Sequence, residues 1–109
     1  MISFVPSNED DIFGMTAFEG ENQLGKCEFA ISGYFMNFIS VDCSDDIIKE
    51  GLARAAMNYA ANRNAYIAKV PKEFSAPAFI RLGFAGEDEL SVEIPEALAS
   101  GCSCGNKIV

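Results

Sequence analysis

The sequence predicts one α/β (α+β) domain, a mixed, mainly antiparallel central sheet interrupted by a β-α-β-α crossover. Three observations predict it. Residues 24–31 alternate, with Cys27, Phe29 and Ile31 on one face and Lys26, Glu28 and Ala30 on the other, the period of a half-buried strand. Residues 34–41 are apolar apart from Asn37 and Ser40, which reads as a central strand covered on both faces. Directly after that run, Ile48, Leu52, Ala55, Ala56, Tyr59 and Ala60 recur at three- and four-residue spacing, the stripe of a helix packed closely on a sheet.

Taken in order, residues 2–5 form a short apolar strand that Pro6 closes. Residues 12–19 are rich in strand formers and stop at Gly20-Glu21-Asn22-Gln23, so they pair as a hairpin with residues 24–31. Gly33 breaks the pattern before the central strand. Asp42, Ser44, Asp45 and Asp46 offer helix N-caps and place negative charge at the positive end of the helix dipole. Asn62-Arg63-Asn64 ends that helix, and residues 65–70 give another strand closed by Pro71. Residues 76–82 read as a second short helix with Pro77 in its first turn and Gly83 as its C-cap. Residues 90–94 alternate as a last strand closed by Pro95. The domain then spans residues 1–95, and residues 96–109 read as a loose tail. So few helices leave one face of the N-terminal hairpin thinly covered, which invites a homodimer.

Composition narrows the chemistry. The 109 residues contain no histidine, which excludes Ser-His-Asp and Cys-His catalysis and His-ligated metals. A general base must be a carboxylate, a perturbed Lys, Tyr or Cys, the N-terminal amine or bound water. The net charge of −8 argues against nucleic acid as a partner. Charge is uneven, however: residues 51–81 carry Arg54, Arg63, Lys69, Lys72 and Arg81 against Glu73 alone, a basic surface suited to a small anion. The N-terminus lacks the basic and apolar regions of a signal peptide, and no apolar run reaches the ~20 residues that span a bilayer. A cytoplasmic, non-membrane protein with four reduced cysteines is therefore expected.

The stretch from residue 34 to 84 resembles the second half of the GNAT superfamily of acyl-CoA N-acyltransferases. That family's central strand leads into a phosphate loop of the form Q/R-x-x-G-x-G/A. A helix L-x-x-A-A-x-x-x-A-x-x-x-G follows, and a later short helix ends in Y-x-x-x-G-F. Here Leu52, Ala55, Ala56 and Ala60 match the helix, and Asn64 stands at its glycine, Asn being the best substitute for a left-handed cap. Phe79-Ile80-Arg81-Leu82-Gly83-Phe84 matches the second helix. The departures are specific. Ser44 takes the place of Gln or Arg, Ile47 and Lys49 replace the small loop residues, and Phe79 replaces the tyrosine that often acts as general acid. The chain also lacks room for the two helices that usually follow the family's first strand.

The resemblance implies acetyl transfer from acetyl-CoA to an amine by direct attack in a ternary complex. It implies that backbone groups of Ile39 and Val41 pair with the pantetheine arm and polarise the thioester carbonyl. Asp46, Ile47, Ile48, Lys49, Glu50 and Gly51 would face the pyrophosphate, with Lys49 or Arg54 as charge partner. Glu28, on the polar face of its strand, is the first candidate base, acting through water. Tyr34, at the start of the central strand, is the phenol best placed to line a cleft, whereas Tyr59 falls on the buried stripe. A non-catalytic dimeric binding or regulatory module competes with this reading, because Phe79 cannot donate a proton and Asp45-Asp46 oppose an anion. A third reading rests on Gly101-Cys102-Ser103-Cys104-Gly105, two thiols one residue apart that suit a soft metal or thiol exchange.

Overall fold

The computed structural model describes residues 2–74 and 77–100. Three two-residue turns organise the first four strands, β1 (Ile2–Glu9), β2 (Ile12–Glu19), β3 (Asn22–Ser32) and β4 (Phe35–Asp42). Each turn begins on a positive φ: Asp10 at 58°, Gly20 at 64° and Gly33 at 61°. That conformation matches the strand twist and draws Gly or Asp to the position. Next come α1 (Asp46–Ala61), β5 (Ile67–Pro71), a 3₁₀ turn at Lys72–Phe74, α2 (Pro77–Arg81), β6 (Glu89–Glu93) and α3 (Ile94–Ser100).

The six strands lie side by side in chain order. All neighbours are antiparallel except β4 and β5, which run parallel because α1 carries the chain back across the sheet. The expected crossover inside an antiparallel sheet is therefore present. Asp45 caps α1, its carboxylate accepting from the N–H groups of Ile47 and Ile48. Asn64 adopts the left-handed conformation expected of it, at φ 75°.

The core lies between the sheet and α1. Met15, Ala17, Cys27, Phe29, Met36 and Phe38 meet Leu52, Ala53, Ala56, Met57 and Ala60, all buried. The helix is turned slightly from its expected stripe, so that Ala53 and Met57 are buried while Ile48, Ala55 and Tyr59 are half-buried at its margin. Small residues on α1 let it approach the sheet closely. Phe79, Leu82 and Phe84 from α2 and the segment after it, with Ile94 and Ala97 from α3, complete the cluster.

Three expectations are corrected. Pro6 does not end β1, which continues to Glu9; β1 is an edge strand, where a residue without N–H breaks no ladder. Residues 94–100 form α3 rather than opening a tail, and Pro95 sits in its first turn, where no intrahelical donor is needed. Finally, β4 is not covered on both faces by described elements. Phe35 and Ile39 remain exposed on the strand, as do Val5 and Ile12 of β1 and β2. The apolar run of β4 therefore serves a core on one face and an uncovered surface on the other.

Candidate functional site

The pairing of β4 changes twice within four residues. Toward β3 the register runs Phe29↔Phe38 and then Glu28↔Ser40, leaving Ile39 as the extra residue of a β-bulge. Toward β5, pairing is confined to Phe35↔Ile67, Met36↔Ala68 and Asn37↔Lys69. A bulge bends its strand and increases local twist, so beyond Asn37 the two strands part. Residues 38–42 have no ladder partner on β5, while Val70 and Pro71 remain paired with β6. The result is a wedge in mid-sheet, bordered by β4 backbone, with Ile39 44% exposed. Unpaired strand backbone of this kind receives an extended ligand carrying amides of its own.

Beyond the wedge, α1 begins. Two of its first-turn donors are occupied by the cap, Asp45 Oδ1 accepting from Ile47 N at 2.9 Å and Ile48 N at 3.1 Å, and Lys49 N makes the first helical bond, to Asp45 O at 2.8 Å. Asp46 reaches α2 instead, with Oδ1 accepting from Ala78 N at 3.2 Å and Oδ2 from Arg81 Nη2 at 2.6 Å. Arg81 Nε donates to Glu50 Oε1 at 2.7 Å, and Arg54 Nη2 donates to Glu50 Oε2 at 2.8 Å. These four residues form one chain of alternating charge, which holds the Arg81 guanidinium even more firmly protonated than usual through its bonds to Glu50 and Asp46. Arg54, an expected phosphate partner, is thereby committed to Glu50. Lys49 makes no ion pair among the described residues. Gly51 lies under the Phe4 ring, where an added Cβ would come within 2.7 Å of Cζ.

Phe79 is 1% exposed and edge-on to both Phe38, at 5.5 Å between centroids, and Phe84, at 5.2 Å. It packs where the resemblance places a proton-donating tyrosine, and it supplies contact area only.

Glu28 projects from β3 onto the uncovered face and accepts from Ser40 Oγ at 3.1 Å, next to the bulge. It also lines a cavity of about 280 Å³ with Ser7, Ile12, Thr16 and Lys26, among others. Tyr34 lies elsewhere. It is 70% exposed in the β3–β4 turn, and its carbonyl accepts from Tyr66 N and Ile67 N at the closed end of the β4–β5 pair. Five residue steps along the strand separate it from Ile39, about 17 Å. The structure thus brings Glu28, Ser40, Ile39 and Val41 together and leaves Tyr34 outside. Tyr66, the other exposed phenol, hydrogen-bonds Glu93, which pushes its proton affinity up.

Burial pushes the Cys27 thiol up to about 12, so it is a core residue and no nucleophile. Cys43 is half-buried, its thiol directed at the carbonyls of Leu24 and Asp45. Cys102 and Cys104 lie outside the described residues, and no metal-ligand cluster occurs among those described. Two residues of the site carry no local sequence signal. Ser40 reads as an interruption of an apolar run, and Arg81 meets partners 31 and 35 residues away.

No family model matches the chain, and no curated protein matches it in sequence. Solved structures do match. A GNAT-family protein from Desulfovibrio desulfuricans superposes with a TM-score of 0.65 at 10% identity, over 77% of this chain and 70% of that one. PaiA N-acetyltransferase from Thermoplasma acidophilum, solved with coenzyme A, gives 0.66 at 14% identity over 76% of this chain and 61% of its own. Aminoglycoside 6′-acetyltransferase type Ii gives 0.66 at 14% identity over 79% and 71%. This chain therefore spans roughly two-thirds of each relative's length, and it carries the fold of the GNAT acetyltransferases.

Proposed function

We propose that the protein is an N-acetyltransferase that moves an acetyl group from an acetyl-CoA-type thioester to an amine. The observation that carries this reading is the parting of β4 from β5 beyond Asn37, together with the bulge at Ile39. An extended pantetheine arm bears two amides, and the free edge of residues 38–42 offers it strand-like pairing through the backbone of Ile39 and Val41. The likeness to a structure solved with coenzyme A supports the same donor.

The chemistry follows from what lies beside the wedge. The amine nitrogen attacks the thioester carbonyl carbon, the C–S bond breaks, and products are an amide and a free thiol. The amine's proton leaves through water to Glu28, which Ser40 holds next to the bulge. The acceptor enters from the uncovered face, where Glu9 and Glu28 outnumber Lys26 in the cavity lining and favour a cationic amine. With Phe79 sealed in the core, the departing thiolate takes its proton from solvent.

One observation favours a second reading, a non-catalytic binding module: Phe79, which cannot donate a proton, is built into an aromatic cluster at the place of the family's tyrosine. In that module the uncovered sheet face would serve a second copy. Melting of the full chain with acetyl-CoA or S-acetylpantetheine, followed by thiol-release assays over a panel of amines, separates the readings. A ligand at 100 times its dissociation constant adds about 2.7 kcal/mol. A shift with turnover is expected. A shift without turnover favours the module, and no shift with either thioester overturns the acetyltransferase reading.

A further inference from the structure

We infer that the wedge selects its donor through the uncharged acyl-pantetheine arm and not through the diphosphate of coenzyme A, an inference that rests on the acetyl-thioester reading above. The resemblance places the diphosphate at the start of α1, and the residues there do not fit it. Helix N-termini hold phosphates through free first-turn N–H groups and a positive field. Here the N–H groups of Ile47 and Ile48 already donate to Asp45, and that of Lys49 to the Asp45 carbonyl. The Asp45 carboxylate occupies the place of the anion.

The field is reversed as well. Asp42, Asp45, Asp46 and Glu50 surround this end of the helix, against Lys49, Arg54 and Arg81. Both arginines are committed, Arg81 to Asp46 and Glu50 and Arg54 to Glu50. A diphosphate would therefore meet the charges of Asp42 and Asp45, which make no ion pair among the described residues, with only Lys49 to offset them. Ile47 is 79% exposed and stands beside the same N–H groups. No glycine lies between Val41 and Gly51 to let backbone come closer. The wedge, by contrast, offers backbone pairing and the apolar Ile39 and Val41, which suit a neutral arm.

Calorimetric titration of the full chain with S-acetylpantetheine and with acetyl-CoA tests this, at low and at moderate salt. The two thioesters should bind within about 3-fold of each other, and added salt should leave acetyl-CoA binding unchanged or stronger, since it screens repulsion. Asp45→Gly, which frees two N–H groups at little cost to the cap, should tighten acetyl-CoA about 5-fold or more and leave S-acetylpantetheine unaltered. Acetyl-CoA binding roughly 30-fold tighter than S-acetylpantetheine, weakening with salt, would overturn the inference while leaving the acetyl-thioester reading intact. Binding of neither thioester overturns both together.

Discussion

The ring of Phe79 in α2 stands edge-on to that of Phe38 in β4, with centroids 5.5 Å apart and planes at 69°. Phe38 is the last β4 residue before the bulge, so this contact fixes the floor of the wedge from the helical side. Packing and chemistry compete for this position. A phenol there would have to bury its hydroxyl between two phenyl rings or displace α2.

Phe79→Tyr should therefore destabilise the fold by about 1–3 kcal/mol, the cost of an unpaired buried hydroxyl, and should not accelerate turnover. Phe79→Ala should cost about 3–5 kcal/mol through the cavity it leaves. Chemical denaturation beside the thiol-release assay checks both. A Phe79→Tyr variant that is as stable as the parent and several-fold faster would show that the position still reaches the reacting atoms.

Asp45 caps α1 through its carboxylate, which accepts from two first-turn N–H groups. Asp45→Ala should lower stability by about 1 kcal/mol and Asp45→Asn by much less. Equal losses in the two variants would assign the effect to charge and not to the cap.

Gly25 faces the loop between β4 and α1. A Cβ there would fall 2.7 Å from Cys43 Cβ and Sγ and 3.1 Å from the Asp42 carbonyl. Part of that obstruction is backbone, so a rotamer change cannot relieve it. Gly25→Ala should cost about 1–3 kcal/mol, as overpacking does, and Cys43→Gly in the same chain should recover part of the loss. An unchanged melting temperature for Gly25→Ala would mean that the loop yields freely.

Cys27 makes stability depend on alkaline pH. Burial raises its pKa from 9.0 to about 12 in the fold, so the folded state favours the neutral thiol. The stability it contributes is complete below the unfolded-chain value and is lost as pH rises from about 9 toward 12. The slope is on the order of 1 kcal/mol per pH unit. Melting from about pH 8 to about pH 10.5 should fall more steeply for the parent than for Cys27→Ala. Parallel slopes would show that the Cys27 thiol does not set the alkaline dependence.

Periodicity made much of this architecture legible. The alternation of residues 24–31, the Ala-rich stripe of α1 and the Gly33 turn all appear where local pattern places them. Proline misled in two places, because its meaning depends on context that a single chain does not carry. Pro6 is harmless only on an edge strand, and Pro95 starts a helix only because residues after it find a core. The apolar β4 run named a central strand correctly, yet no described element covers its second face, where Phe35 and Ile39 are exposed. Of the candidate site, Glu28, Ile39 and Val41 lie together, while Tyr34 does not. The Asp46–Arg81–Glu50–Arg54 chain closes over more than 30 residues of sequence, a separation at which charge pattern carries no pairing information.

On the proposed reading, the unpaired edge of β4 receives an acyl-pantetheine arm. Amide hydrogen exchange of the full chain, with and without saturating S-acetylpantetheine, reports on that edge. Protection should rise in residues 38–42 and stay unchanged in the β1–β2 hairpin. Ligand-bound protein whose residues 38–42 exchange as fast as in the free chain would contradict the claim.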